Sequence, residues 1–244
     1  MTERLLRLLH DAARGVPPPA DGVVEVWPAP PGAVDAVLGF TAHHVVAAGV
    51  DPDLVAARLP DGDLSAPMGP AFLGWLGERL GSRPGSLDVV LAAEGLGGTP
   101  PLELTPGADL DRHERVARAL RYRDDLEVWT AEGGAGVLVV GRGLAGRREV
   151  AFEVDPARRN RGLGRLLVAA ARHLTRPGEP LFAQVAPGNV ASLRVVQAAG
   201  FRPVGAEVLF HRGGSGSVRA ISAVAPRQRR RRNSGAAADR ACWN

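Results

Sequence analysis

The sequence predicts an α/β protein of the α+β type, in which strands and helices share one chain. Three observations support this prediction. Apolar residues make up 45% of the 244-residue chain, short β-branched runs alternate with helical apolar patterns, and clusters of glycine and proline separate these runs. A chain of this length can bury one large core or two small ones, so disorder of the whole chain is excluded.

The first 20 residues are predicted to be a leader helix and a proline-rich linker. The opening ten residues form an amphipathic pattern that we expect to dock through Leu5, Leu6, Leu8 and Leu9. A helix lying on a membrane surface is the alternative interpretation of the same pattern. Residues 15–22 contain three consecutive prolines, which stop a helix and favour an extended linker.

Residues 21–98 are predicted to form an N-terminal α/β region. The apolar patterns indicate strands at 23–27 and 87–93, and helices at 33–48, 53–59 and 71–80. This region has the size of a small domain. We expect it to complete a substrate pocket.

Residues 99–211 are predicted to form a second α/β unit. Prolines interrupt a possible edge strand at 99–106. The expected elements after it are a helix at 109–121 with Leu110, Val116 and Leu120 facing inward, strands at 126–131, 136–141 and 148–154, a helix at 166–174, a strand at 181–186, a helix opened by Asn189, and a strand pair within 201–210.

The turn at 159–165 between the strand at 148–154 and the next helix is the most informative segment. It reads Arg-Asn-Arg-Gly-Leu-Gly-Arg, so two glycines allow close backbone approach at a helix start, where unpaired N–H groups and the helix dipole attract an anion. The arginines add positive charge suited to a pyrophosphate. A tight turn packed on its sheet, with arginines in solvent, is the alternative.

The order of motifs resembles the GNAT acyltransferase superfamily. The spacing Arg159-x-x-Gly162-x-Gly164 after a strand, then a helix, a strand, Asn189-x-x-Ser192 and a final Gly200-Phe201, carries this resemblance. It implies a GNAT-like mixed, mostly antiparallel central sheet flanked by helices, and acetyl-CoA as co-substrate. The implied cofactor-binding residues are Val154, Arg159, Asn160, Arg161, Gly162, Leu163, Gly164, Arg165, Asn189 and Ser192.

The same resemblance implies that a primary amine, on a small molecule or a peptide, attacks the acetyl thioester directly. A backbone N–H near Val154 would polarise the carbonyl oxygen. The amine must lose a proton, and Glu153 is the first choice of base, with Glu149 beside it. Strand alternation places both carboxylates on one face. Simple ion pairing with nearby arginines is an equally open interpretation.

Val196 departs from the family pattern. It stands where relatives often have a tyrosine that protonates the thiolate of CoA, and valine can donate no proton. The departure raises the alternative of a non-catalytic acyl-CoA-binding sensor or interaction domain. Tyr122, the single tyrosine, is predicted to be a packed helix end. Gln184 is either a cleft residue or a polar residue on an edge strand.

Two further sets of side chains favour structural interpretations. Asn189 is well placed to cap its helix, which a cofactor contact does not exclude, and Ser192 could serve helix packing. The pair His43-His44 makes a poor chelating pair if it lies on a helix, so buried or surface histidines are expected and no metal site is predicted. If one of them lined the pocket, His44 would be the substitute acid.

Charge and cysteine content exclude other classes of protein. Residues 1–210 carry 22 arginines and 25 acids, a net charge of −3, whereas the last 34 residues carry eight arginines and one acid, a net charge of +7. Residues 212–244 are therefore predicted to be a disordered basic tail, and its 227–232 run makes nucleic-acid binding only a remote alternative. The single cysteine, Cys242, excludes an internal disulfide.

No membrane span or secretory signal is evident in the sequence, so a cytoplasmic protein is expected. A homodimer is common in the family that the chain resembles. No sequence feature tests that possibility.

Overall fold

The computed structural model describes residues 2–107 and 113–212. Six α-helices and ten strands are present in this part of the chain, joined by short turns. In chain order they are α1 (Thr2–Ala13), β1 (Val24–Trp27), β2 (Val34–Phe40), β3 (His43–Ala47), α2 (Pro52–Arg58), α3 (Pro70–Leu80), β4 (Pro84–Glu94), β5 (Thr105–Pro106), α4 (Glu114–Leu120), β6 (Asp124–Ala131), β7 (Gly136–Arg142), β8 (Arg148–Val154), α5 (Leu163–Leu174), β9 (Pro180–Val185), α6 (Val190–Ala198) and β10 (Arg202–His211).

All ten strands form one sheet in the order β1-β3-β2-β10-β4-β9-β8-β7-β6-β5. Two neighbouring pairs, β1 with β3 and β8 with β9, are parallel, and the other pairs are antiparallel. The predicted α+β class with a mixed, mostly antiparallel sheet flanked by helices is confirmed.

Strands from the two predicted regions alternate in the centre of this sheet. The last strand, β10, lies between β2 and β4, and β4 in turn pairs with β9. Strands β1, β3 and β2 from the N-terminal half therefore form one end of the sheet, and β4, from the same half, pairs with β9. The regions 21–98 and 99–211 share a single sheet.

Helices cover both faces of the sheet. On one face, α5 and α6 bury Leu167, Val168 and Val196 against β8 and β9. On the other face, α4 buries Val116 and Ala119, while α1 docks through Leu5 and Leu9 beside β4, as its leucine pattern predicts. No helix among residues 2–107 and 113–212 has the length and apolar character needed to cross a bilayer.

The predicted helix at 33–48 is wrong, because this segment is the β2–β3 hairpin. Residues such as Val37 and Val46 pair directly across the two strands, and both strands are buried along almost their whole length. A strand buried on both faces shows a continuous apolar run, which hydrophobic periodicity does not separate from a buried helix. Its β-branched residues are the sequence signal that favours strands. In the structure the two strands are joined by a tight turn at Ala42, where φ is 51°.

The predicted strand pair within 201–210 is also wrong. Residues Arg202–His211 form one strand, and the interruption by Pro203 and Gly205 is absorbed by an irregularity in its pairing with β4. A Cβ at Gly205 would lie 2.7 Å from the carbonyl oxygen of Gly39 on β2. Gly205 is therefore required by the close approach of two strands.

Two predictions fall partly outside the described residues. The helix predicted at 109–121 is described from Glu114, with His113 as its N-cap, whereas Leu110 lies outside the described part. The predicted tail lies outside it from residue 213 onward, including the 227–232 run and Cys242.

Candidate functional site

The parallel strands β8 and β9 pair over a short distance and then separate. Their register joins Arg148 to Leu181 and Glu149 to Phe182, and no later pair is formed between these two described strands. Beyond Glu149 the edge of β8 that faces β9 is therefore left without a strand partner. The gap between the strands opens into a cleft with a volume of about 240 Å³.

This cleft passes through the sheet and is lined from both faces. Residues 150–152 of β8 and 183–186 of β9 form its opposing walls. Asn189, Ser192 and Val196 line it on the α6 face, and Arg115, Arg118 and Ala119 line it on the α4 face. Two reactants could therefore enter from opposite faces of the sheet and meet between the separated strands.

The turn at 159–165 follows β8 and leads into α5, as the sequence predicts. Gly162 is the N-cap of the helix with φ of 84°, and a Cβ placed on it would meet no atom within 4 Å. Its carbonyl accepts from the N–H of Leu166 at 3.2 Å, so the preceding N–H groups of the first turn have no intrahelical acceptor. Open space, a positive helix end and free donors thus coincide at Gly162.

The second glycine of the turn has a different function. A Cβ at Gly164 would lie 3.3 Å from the Phe152 ring and 3.5 Å from Val195. Gly164 therefore allows α5 to pack closely on β8 and α6. The sequence interpretation assigned ligand approach to both glycines, whereas only Gly162 faces open space.

The polar residues of the turn are exposed on its surface. Arg159 donates from Nε to the carbonyl oxygen of Val154 at 3.1 Å, which fixes its stem at the end of β8. Asn160 has a left-handed backbone with φ of 61°. Arg161 and Arg165 make no side-chain hydrogen bond or ion pair within the described residues. The turn thus presents guanidinium groups beside the free N–H donors of the helix.

Asn189 and Ser192 occupy the places that the sequence predicts. The Asn189 side chain caps α6 by accepting from the N–H of Ser192 at 3.1 Å, and both residues line the cleft. Val196 also lines the cleft and is fully buried. The capping role of Asn189 is confirmed. At Val196, where relatives often have a tyrosine, the wall of the cleft is apolar.

The predicted alternation along β8 is confirmed. Val150, Phe152 and Val154 pack with the α5 and α6 core, while Ala151 packs on the α4 side. Glu149 and Glu153 pair with arginines on that same α4 side. Their surroundings are nevertheless very different.

Glu149 is at the centre of a buried ion network. Its carboxylate lies 2.6 Å from Arg123 Nε and 2.8 Å from Arg147 Nε, and Arg147 continues to Glu207 at 2.7 Å. Burial opposes ionisation of Glu149, but the guanidiniums of Arg147 and Arg123 outweigh it and hold its pKa below the usual value. Burial raises the pKa of Glu207, against the opposing effect of Arg147.

Glu153 is not among the residues that line the cleft. Its side chain is 37% exposed, and its partner is Arg115 Nε at 3.4 Å. Arg115 does line the cleft. Of the two predicted carboxylates, Glu149 lines the cleft but is held by two arginines, whereas Glu153 lies outside the lining and is accessible and weakly held.

Gln184 lies in the wall of the cleft, which decides between its two sequence interpretations. Its Oε1 accepts from Arg123 Nη2 at 2.8 Å, so the amide is oriented with its NH₂ group on the other side. That Nε2 is buried and has no hydrogen-bond partner among the described residues. Gln184 therefore offers a fixed donor whose acceptor is missing.

Several residues that line the cleft were not predicted from the sequence as site residues. Three of them, Asp88, Arg118 and Tyr122, have side chains that can bind or exchange a proton with a ligand. Asp88 on β4 accepts from the Ser86 hydroxyl at 3.0 Å, and burial raises its pKa, although Ser86 and nearby arginines oppose this. Tyr122 lines the cleft just beyond α4, and its ring packs edge-on against His211. No local motif marks these residues, because long-range strand order brings β4 next to β9.

The two histidines do not line this cleft. They lie on β3, so their helical placement was wrong, and adjacent strand residues point to opposite faces. His43 Nδ1 is 2.9 Å from Asp21 Oδ1. His44 lines a separate cavity of about 60 Å³, and burial, followed by the neighbouring His43, lowers its pKa. His44 is not placed to act as the substitute acid.

Comparison with known proteins agrees with this geometry. The sequence model of FR47-like proteins, which are GNAT-related, matches residues 150–209. This segment of the chain is therefore similar to GNAT-related proteins. The matched residues run from β8 through α5, β9 and α6 into β10, and contain the glycine turn, Asn189 and Ser192. No curated protein matches the chain significantly.

Solved structures of GNAT proteins are similar to part of the chain. One is a GCN5-related N-acetyltransferase from Kribbella flavida, with 21% identity over 58% of this chain and 64% of that one and a TM-score of 0.38. A GNAT-family acetyltransferase from Colwellia psychrerythraea has 11% identity over 59% of this chain and 63% of that one, with a TM-score of 0.35. A GCN5-related N-acetyltransferase from Sphaerobacter thermophilus has 17% identity over 60% of this chain and 58% of that one, with a TM-score of 0.36. The chain spans less than two thirds of each.

Proposed function

We propose that the protein is an acetyl-CoA-dependent N-acetyltransferase that transfers the acetyl group directly to a primary amine. The similarity of residues 150–209 to FR47-like, GNAT-related proteins supports acyl transfer in general. The observation that carries the proposal is the separation of β8 from β9 beyond Glu149 and Phe182, which opens a cleft lined from both faces of the sheet. A thioester and an amine need such a shared space.

The described residues fit the pyrophosphate and the pantetheine arm of acetyl-CoA. The N–H groups at the start of α5, the open space at Gly162 and the exposed arginines of 159–165 suit the pyrophosphate. The unpaired edge of β8 offers backbone groups to the pantetheine amides and, near Val154, an N–H to the thioester oxygen. Asn189 and Ser192 border the same path on α6.

The transfer needs no covalent intermediate on the protein. The amine nitrogen forms a bond to the thioester carbonyl carbon, the C–S bond breaks, and CoA leaves as a thiolate. A base first takes one proton from the ammonium group, because only the neutral amine has the lone pair that attacks. The nitrogen loses a second proton as the C–S bond breaks and an acid or water gives one proton to the sulfur, so one proton is released overall. Acetylated amine and CoA are the products.

Glu153 suits the base better than Glu149. A carboxylate held by two guanidiniums with a lowered pKa is a weak proton acceptor, and Glu149 is in that condition. Glu153 is half-exposed with one long ion pair and can take the proton through a bridging water. We therefore assign Glu153 as the base and Glu149 as a positioning residue for Arg123.

The apolar Val196 supports the second candidate, a non-catalytic acyl-CoA-binding sensor or interaction domain. Valine cannot return a proton to the thiolate. Hydroxyls that line the cleft, those of Ser86, Tyr122 and Ser192, are nevertheless able to supply it. This favours the enzyme over the sensor. A small-molecule or peptide amine as partner, a homodimer, and the cytoplasm as compartment are further parts of the proposal.

Release of free CoA tests this function. We expect the protein, with Cys242 replaced by serine, to liberate thiol from acetyl-CoA in the presence of at least one member of a primary-amine panel, and to be thermally stabilised by acetyl-CoA. A ligand at about 100 times its Kd stabilises the folded state by about 2.7 kcal/mol. Stabilisation without thiol release from any amine would favour the sensor, and no stabilisation would contradict both functions.

A further inference from the structure

The α4 side of the cleft contains polar groups that the acetyl transfer does not use. They are the carboxylate of Asp88, the guanidinium of Arg118 and the amide NH₂ of Gln184, all of which line the cleft. They come from β4, α4 and β9, which are far apart in the sequence. Since the acyl donor is assigned to the turn and to α6, these groups face the space that remains for the acceptor.

Asp88 is a carboxylate without a cationic partner in direct contact. Its hydrogen bond from Ser86 is to Oδ1, and no hydrogen bond to Oδ2 is formed within the described residues. Arg118 and Arg123 act on it only through their field. Burial of an unpaired carboxylate is unfavourable, which is why its pKa is raised. A bound ammonium group would supply the missing partner.

Arg118 and Gln184 offer donors rather than acceptors. Within residues 2–107 and 113–212 the Arg118 guanidinium forms no ion pair or hydrogen bond, and Gln184 Nε2 is buried without a partner. Arg123 holds the other end of the Gln184 amide at 2.8 Å, and Arg123 is itself held by Glu149 at 2.6 Å. These contacts fix the orientation of the Gln184 NH₂ group, which could donate to an anionic or carbonyl oxygen of a ligand.

We propose that the acceptor is a small amine that also carries a carboxylate, with its ammonium group at Asp88 and its carboxylate at Arg118 and Gln184. This inference rests on the proposed acetyl transfer and names its acceptor class. The volume of about 240 Å³, part of which the thioester must fill, favours a small acceptor because pockets for drug-sized ligands start at about 300 Å³. The sequence-based expectation of a primary amine on a small molecule or a peptide is thereby narrowed to a small zwitterion.

Matched acceptors test the proposal. We expect kcat/KM with β-alanine to exceed that with β-alaninamide or propylamine by about 10-fold or more, since the last two lack the carboxylate that would accept charge-assisted hydrogen bonds. Aminoethyl phosphonate, which carries a different anion, should be the poorer substrate. Equal rates for β-alanine and its amide would overturn the proposal, and a preference for the phosphonate would replace the carboxylate with a phosphate-like group.

Variants identify the residues responsible. Arg118→Gln should abolish the preference for β-alanine over its amide, while Arg121→Gln, at the C-cap of α4 and outside the cleft lining, should retain it. Asp88→Asn should raise KM for both acceptors, and Glu94→Gln on the same strand should not. Preference retained in Arg118→Gln would overturn the assignment.

A binding measurement separates this proposal from the acetyl transfer itself. With CoA present, β-alanine should stabilise the protein against heat more than β-alaninamide does, and Arg118→Gln should remove the difference. If β-alanine stabilised the protein more than β-alaninamide but no amine were acetylated, the acceptor site would be supported and the enzymatic function contradicted. Absence of any difference would overturn the acceptor site even if other amines were acetylated.

Discussion

The two sides of the cleft differ in how they are built. The proposed cofactor side, consisting of the turn at 159–165 with α5 and α6, uses backbone N–H groups, a left-handed glycine and a helix end. The proposed acceptor side, consisting of residues 85–88 of β4, α4 and Arg123, uses side chains from separate elements, of which Arg123 is held by an ion pair with Glu149. Backbone recognition requires particular residues at fixed local spacing, whereas side-chain recognition can be assembled from any elements that meet.

This difference has a consequence for stability. Arg123 on the acceptor side is held by Glu149, which also pairs with the fully buried Arg147. The cofactor-side arginines lie in solvent. Changes on the acceptor side should therefore affect folding as well as function, and changes in the turn should affect mainly binding.

The largest expected effect comes from Glu149→Ala. Removing this carboxylate leaves Arg147 with Glu207 alone and leaves Arg123 without its 2.6 Å partner, and breaking a buried pair in this way costs about 3–5 kcal/mol. We expect a loss of that size in the free energy of unfolding, measured in guanidinium. Glu153→Ala, on the same face of the same strand, should cost less than about 1 kcal/mol because its ion pair is partly exposed. Equal losses would remove the distinction between the two carboxylates.

The sequence predicted most elements but failed where a segment was fully buried. The patterns for β1, β4, β6, β7 and β8 were amphipathic or bounded by turns, and their positions are confirmed within a few residues. The segment that forms β2 and β3 lies between β10 and β1 and is buried throughout. Its apolar run therefore lacked the alternation by which a strand is recognised.

The site was predictable only as far as its geometry is local. Alternation along β8 correctly placed Glu149 and Glu153 on one face, since that depends on strand geometry alone. Glu149 pairs with Arg123, which follows α4, and with Arg147, in the turn before β8. Arg147 in turn pairs with Glu207 on β10. Such contacts depend on strand order, which the sequence did not specify. For the same reason Asp88 and Arg118 were missed.

An intermediate effect is expected from Glu153→Gln. Loss of a general base lowers turnover by about 100-fold or more, while the amide keeps the size of the side chain, so stabilisation by acetyl-CoA should be unchanged. Single-turnover CoA release and thermal shift measure the two quantities. Glu94→Gln, an exposed acid at the end of β4, serves as the matched control. Unchanged turnover in Glu153→Gln would exclude it as the base and move that role to Asp88, which lines the cleft without an ion-pair partner among the described residues.

The smallest of these effects, in the turn, tests whether the cofactor side recognises a phosphate through its backbone. Gly162→Asp places a carboxylate at the positive end of α5 and should weaken CoA binding by about 10-fold, which corresponds to about 1.4 kcal/mol. Calorimetric titration measures it. Pantetheine lacks the pyrophosphate, so its affinity should not change.

Gly178→Asp is the matched control for this experiment. Gly178 also has a positive φ, 75°, and open space around its Cβ position, but it lies in the loop between α5 and β9. Both variants therefore carry the same kind of backbone strain, and only Gly162→Asp changes the charge at the helix start. If the two variants weakened CoA equally, or if pantetheine lost affinity with CoA in Gly162→Asp, strain would explain the loss and the turn would not be the pyrophosphate site.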